Sequence, residues 1–231
     1  PAADVLEQYP AVALFMQRIH AAKPDFQLTP PNASAIIQIC RQLEGLPLSL
    51  ELAASRIKLL PPPAMLLRIH QPLQLLRDGP VDLPVRQQSL RDTLTWSYDL
   101  LEFGEQQLFR RLAVFARGCT FEAAETIAKL EGDLPFDVMT LVLALMDKSL
   151  LYQAEQADGT PRLLMLQTTR EYALEQLDAQ GEATPIRRNH ARYYLALAEA
   201  IEAQYDTSQQ RLGLDALEEE HHNLRAALAW A

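Results

Sequence analysis

The densest run of ionisable chemistry in the chain is Glu218-Glu219-Glu220-His221-His222, which raises metal binding first. Glu218, Glu220 and the two imidazoles could supply ligands from one helix, but the spacing matches no metal motif and reads as a solvated acidic turn. His20, His70 and His190 stand apart from one another, and no serine sits in a GxSxG context, so nucleophilic hydrolysis has no support. The eight glycines never approach GxxxxGK[ST] or GxGxxG. The chain therefore has no phosphate cradle, and any nucleotide chemistry must come from another segment. Cys40 and Cys119 lie far apart with no CxxC, and they read as buried free thiols of a reducing compartment, which points to the cytoplasm. Neither catalytic residues nor metal ligands are expected.

Charge argues against nucleic acid as a direct partner. The 231 residues carry 21 Lys and Arg against 30 Asp and Glu, a formal net charge of −9. Residues 81–182 hold nine basic and seventeen acidic side chains, so the acidity is concentrated there. The segment Phe136 to Asp147 has two acids and no base before Lys148. A helix that reads base edges needs Arg, Lys, Asn or Gln, with cations near phosphates. The longest uncharged apolar run, Val138 to Met146, is far short of the roughly 20 residues that span a bilayer, so no membrane is expected. The start at Pro1 lacks Met, which suggests a piece of a longer protein.

With 48% hydrophobic residues the chain can bury a sizeable core, and Pro and Gly punctuate mostly helical patterns. Helices are expected from Pro10, from Thr29-Pro30 to Gly45, from Pro47 to Pro61, and briefly around Met65 to Ile69. A boundary falls between His70 and Gln88. Further helices are expected at 89–101, with Leu90, Leu94, Trp96 and Leu100 as its apolar residues, and at 104–115, 120–130 and 136–147. The period then changes to two: Ser149 to Tyr152 and Leu163 to Leu166 read as strands around an Asp158-Gly159 hairpin turn. A helix at 168–177 completes a winged-helix pattern. Beyond Ala183 the chain is helical again. The expected fold is mainly α: a helical bundle at 1–80, a winged-helix domain with a small β-hairpin at 81–182, and solenoid-like helices from 183 to 231.

Gly45-Leu46-Pro47-Leu48, followed by Ser49-Leu50-Glu51-Leu52-Ala53-Ala54, resembles the GLPL motif in the helical lid of the NB-ARC and related STAND-class signalling NTPases. Arg86 to Leu101, Leu108 to Phe115, Leu145 to Leu151 and Leu166 to Ala173 look like the winged-helix domain of bacterial members of that class, in order. His190-Ala191-Arg192-Tyr193-Tyr194 and Glu219 to Leu228 are similar to the entry of its tetratricopeptide-like sensor region. Such proteins are typically multidomain transcriptional regulators of LuxR or AfsR-like type.

The resemblance implies a P-loop NTPase domain outside this chain that binds ATP or ADP with Mg, and lid and winged-helix domains that close over the nucleotide. This chain then needs no cofactor of its own and is not an enzyme, although the full-length protein would be a slow ATPase switch. Its partners would be that P-loop domain, the sensor repeats and possible protein partners. Nucleotide-facing positions would be Gly45, Leu46, Pro47, Leu48 and Gln167. Pro47 matches the proline that packs near adenine, although a helix-starting proline satisfies the same residues. Met165, Leu166 and Gln167 align with the family's MHD motif, where the histidine that approaches phosphate is replaced by Leu166 and the aspartate by Gln167. By its place Gln167 would be the N-cap of the following helix, a position to which glutamine is poorly suited, which leaves room for a functional role. Two other functions fit the same elements: a protein-binding adaptor without nucleotide switching, and an autonomous DNA-binding winged-helix regulator.

Overall fold

The computed structural model describes residues 8–69, 89–130, 137–155, 159–203 and 210–231. The chain divides into two compact units, residues 1–100 and 101–231. His70 and the expected boundary segment up to Gln88 lie outside the described residues.

In the first unit the helices are α1 (Pro10–Ala22), α2 (Pro30–Gln42), α3 (Pro47–Ser55), α4 (Pro62–Leu66) and α5 (Leu90–Asp99), with a 3₁₀ turn at Arg56–Lys58. Helices α1 to α4 each have proline in the first turn, where its missing N–H has no intrahelical partner to lose. Helix α1 packs on α3 and α2 on α4, which buries Phe15, Ile19, Ile36, Ile39, Leu43, Leu50, Leu52, Ile57 and Met65. Helix α5 buries Leu90, Leu94 and Tyr98 at i, i+4, i+8 spacing. Trp96 and Leu100 are exposed, because those positions are turned away from that stripe.

The second unit runs α6 (Phe103–Leu112), α7 (Phe121–Ile127), α8 (Val138–Asp147), β1 (Tyr152–Glu155), β2 (Pro161–Leu164), α9 (Gln167–Ala179), α10 (Ala183–Glu202), α11 (Gln210–Glu219) and α12 (His221–Trp230). Helix α6 is central and packs on both α8 and α9, with Leu108, Phe109 and Leu112 buried. The antiparallel hairpin pairs Tyr152 with Leu164 and Glu155 with Pro161. On its other edge β2 gains a partner, since Cys119 and Leu163 exchange backbone hydrogen bonds of 3.0 and 2.8 Å. Helix α10 packs on α7 and α12 on α10, so the C-terminal helices share a core with the preceding elements.

Both strands sit away from their expected places. Ser149, Leu150 and Leu151 are the exit of α8: Ser149 has φ +58°, its N–H donates to Met146 O, and the Leu150 N–H donates to Leu145 O. That is a left-handed helix stop with its hydrophobic follower, and it leaves Leu150 and Leu151 buried. The apolar run there records a helix end, and pairing begins only at Tyr152.

Candidate functional site

Four of the positions singled out by resemblance form the corner between α2 and α3. Glu44 (φ +54°) and Gly45 (φ +68°) both adopt the left-handed conformation, with the Gly45 N–H donating to Cys40 O at 3.0 Å. Gly45 is suited to this turn, where a Cβ would also meet Ala11 at 3.4 Å. Leu46 is extended, as the residue before a proline prefers, and it precedes Pro47 at the first position of α3. Leu46 and Leu48 are half-buried and Pro47 is exposed. The fifth position, Gln167, belongs to the second unit and is exposed. It is not the N-cap: Leu166 takes that place with ψ 144°, and Gln167 is the first residue of α9.

In the second unit three helices and a β-hairpin occur in the order α6, a strand-like residue at Cys119, α7, α8, β1, β2, followed by α9. Asp137 opens α8 by accepting from the Met139 and Thr140 amides at 3.2 Å. Residues 101–178 match the family described as a winged helix-turn-helix domain. The chain contains a winged helix. Over 221 residues, 96% of its length, the chain is 40% identical to proteins of Mycobacterium tuberculosis (strain H37Rv) and Mycobacterium bovis that carry the provisional name HTH-type transcriptional regulator. It is 30% identical over 184 residues to an uncharacterised protein of Mycobacterium tuberculosis. The chain spans 25% of the length of the former and 47% of the latter.

The outward face of α8 decides what this winged helix can touch. Val138, Val142 and Leu145 are buried, and Met139, Thr140, Leu143 and Asp147 face solvent, with Met139 47% and Leu143 54% exposed. Lys148, the first cation after the helix, pairs with the Glu105 carboxylate in α6. The wing's basic residue, Arg162, is also committed. It is 7% exposed and makes a bidentate pair with Glu220 of 2.7 and 2.8 Å. Its guanidinium further donates to the carbonyls of Arg117 and Gly118 at 3.1 and 2.9 Å.

Two buried polar clusters join the winged helix to the C-terminal helices α10 and α12. In the first, Arg110 and Arg111 both donate to the Glu182 carboxylate at the start of α10, at 2.8 to 3.1 Å, and Arg111 also donates to Ala128 O at 2.7 Å. Burial pushes the Glu182 carboxyl up, but the two guanidiniums outweigh it and hold the carboxyl below its ordinary range. In the second, Glu220 is shared by Arg162 and Asn223, and the fully buried Asn223 side chain accepts from the Ala116 N–H at 2.7 Å and donates to Gly118 O at 3.0 Å. Glu220 is thus occupied as a counter-ion, which removes it from the Glu218, Glu220, His221, His222 set considered for metal. Among the described residues no group of three or more metal-type ligands is present, and no helix is long and apolar enough to cross a membrane.

His190 sits beside these clusters, 3% exposed, with ring contacts to Phe115 and Tyr194 at 5.5 and 4.7 Å. Burial pulls its pKa from 6.5 down to about 4, with Arg170 adding to the effect. The unfolded imidazole gains its proton near 6.5 and the folded one near 4, so the unfolded state binds more protons between those values. Stability from this residue is complete above the unfolded value of 6.5 and lost as pH falls toward about 4. The expected loss between about pH 7 and about pH 5 is about 2 kcal/mol. Urea midpoints of wild type and His190→Leu at the two pH values check this. An equal drop in both would rule it out.

Sequence reasoning missed the two clusters. The signal was present in part: Arg110 and Arg111 lie inside the apolar run Leu108, Phe109, Leu112, and a pair of cations there implies a carboxylate elsewhere in the chain. Which carboxylate it is depends on contacts 71 and 72 residues away.

Proposed function

We propose that this chain is the regulatory segment of a bacterial transcriptional regulator, with a winged helix that makes protein contacts and does not read DNA. The observation that carries this reading is the outward face of α8, apolar at Met139 and Leu143 and acidic at Asp147, with Lys148 engaged by Glu105. The names of the 40% identical relatives supply the regulatory context.

In the finer form of the proposal, residues 1–80 act as a lid and residues 81–182 as a clamp over ATP or ADP bound to a P-loop domain of the longer protein, with 183–231 opening a sensor region. The exposed Pro47 at the α2–α3 corner would face adenine, and the exposed Gln167 would stand in the place of a phosphate-sensing residue. The nucleotide would supply the difference between a closed and an open state, and this chain would carry no catalytic group. The two free cysteines, both buried, support a cytoplasmic location.

The test has two arms. Duplex DNA titrated with the chain at moderate salt is expected to give no sequence-specific shift. Sub-micromolar binding that weakens steeply with salt would instead favour an autonomous DNA-binding regulator. In the longer protein, Pro47→Ala is expected to weaken ADP binding about tenfold, the effect of ~1.4 kcal/mol. Unchanged ADP affinity would leave the adaptor reading in its place.

A further inference from the structure

We infer that α12 is a latch on the root of the wing, closed by Glu220 and Asn223 against Arg162 and the 116–118 backbone, and that its release opens the winged helix at Cys119. The inference does not depend on nucleotide switching.

Three observations carry it. The loop between α6 and Cys119 holds two successive left-handed residues, Arg117 at φ +65° and Gly118 at φ +83°. Its backbone is satisfied largely by side chains from distant elements. The Ala116 N–H bonds to Asn223, the Arg117 carbonyl to Arg162, and the Gly118 carbonyl to both. A further guanidinium, that of Arg170, caps the Phe115 carbonyl at 2.7 Å. Such a loop keeps its shape only while those side chains are docked.

The second observation is the chemistry of the seam. A buried Arg–carboxylate pair adds little stability over an apolar seam of the same size, but a partly opened one leaves a desolvated charge without its counter-ion. Intermediate positions of α12 are therefore disfavoured, and the seam has two discrete states, docked and released.

The third is the position of Cys119. Its thiol is 2% exposed, and burial pushes its pKa up, with Arg162 and Glu220 close enough to act on it. Its backbone pairs with Leu163, next to Arg162 in β2. Releasing Glu220 from Arg162 frees β2 from α12, loosens the Cys119–Leu163 bridge and admits solvent to the sulfur. The two cysteines thus report on different units, Cys119 on the latch and Cys40 on the first unit.

The experiment is thiol labelling of the whole chain, read residue by residue by mass spectrometry, with native-state hydrogen exchange alongside. Asn223→Ala and Glu220→Gln are expected to speed Cys119 labelling at least tenfold and leave Cys40 unchanged. Exchange at the Ala116, Cys119 and Leu163 amides should rise with it, and exchange within α8 should stay as in wild type. Parallel acceleration throughout residues 101–231 would show a merely structural cluster and overturn the latch, as would unchanged Cys119 labelling. Should either variant fold poorly, hydrogen exchange of the wild type decides the matter. The Ala116 and Cys119 amides are expected to exchange through one opening with the α12 amides, at lower denaturant dependence than those of α6. Exchange of all of them only with α6, by global unfolding, would overturn the proposal.

Discussion

Gly118→Ala is expected to lower the unfolding free energy of residues 101–231 by more than about 4 kcal/mol, enough to leave much of the protein unfolded at about 37 °C. A Cβ at this position would lie 2.2 Å from the Leu163 carbonyl oxygen and 3.2 Å from its carbon, and neither atom can move without breaking the Cys119–Leu163 pairing. The left-handed backbone, φ +83°, adds about 1–2 kcal/mol for any residue with a side chain. Gly159→Ala is the natural control. Its φ is +84°, but nothing lies within 4 Å of the added carbon, so only the conformational part should be felt. The difference between the two urea midpoints therefore isolates the close approach of backbone to backbone. Equal losses would mean that the wing root yields easily and that the contact at residue 163 has little weight.

Glu182→Leu is the other large effect, expected at about 3–5 kcal/mol. Arg110 is 4% exposed and Arg111 1%, and the substitution removes the carboxylate that both guanidiniums share. The loss is mainly the cost of two buried cations that give up the carboxylate they share, not the intrinsic strength of the ion pairs. It follows that Arg110→Met/Arg111→Met/Glu182→Leu should recover much of the loss, because a packed apolar seam needs no counter-charge. Denaturant titrations of the single and triple variants check this, and a triple variant no better than Glu182→Leu would show that the arginines stabilise the seam by themselves.

The fold is legible in the sequence wherever the chain's own neighbours decide it. Pro10, Pro30 and Pro47 announce helix starts, and the change of period beyond Ser149 announces a hairpin, while Pro62, which reads as a helix stop, opens α4. The first strand begins later than expected for a local reason that composition conceals: Leu150 and Leu151 serve a helix exit, and an apolar pair there looks the same as the start of a strand. Trp96 differs for a similar reason, being a large apolar residue on a face that the i, i+4, i+8 stripe leaves outside. The first residue of α9 is a third case: by its place in the sequence Gln167 would be the cap, and Leu166 holds that position with no side-chain cap.

The polar seams are illegible because their partners are far apart in the chain. In the sequence Arg162 is the wing's one cation, with no partner marked near it; in the structure it is closed on a carboxylate 58 residues later. The corner at Gly45 to Leu48 is legible as a turn into a helix. Its turn geometry fits that helix start and leaves Pro47 exposed for another role, so the nucleotide measurement above must separate the two.

The bond from Ala116 to Asn223 has a consequence for how the protein is made. The two residues are 107 positions apart, and at a synthesis rate of roughly 5–20 residues per second they leave the ribosome roughly 5–20 s apart. Through that interval α6, α7 and α8 have emerged, but the 116–118 loop has no side chain from α12 to hold it. With the latch proposed above, the nascent winged helix passes through a stage with its wing root unsealed and its thiol accessible. Long-range closure of this kind slows folding. For this protein, the arrival of Asn223 is the step that completes the hydrogen bonds of the 116–118 loop in the newly made chain.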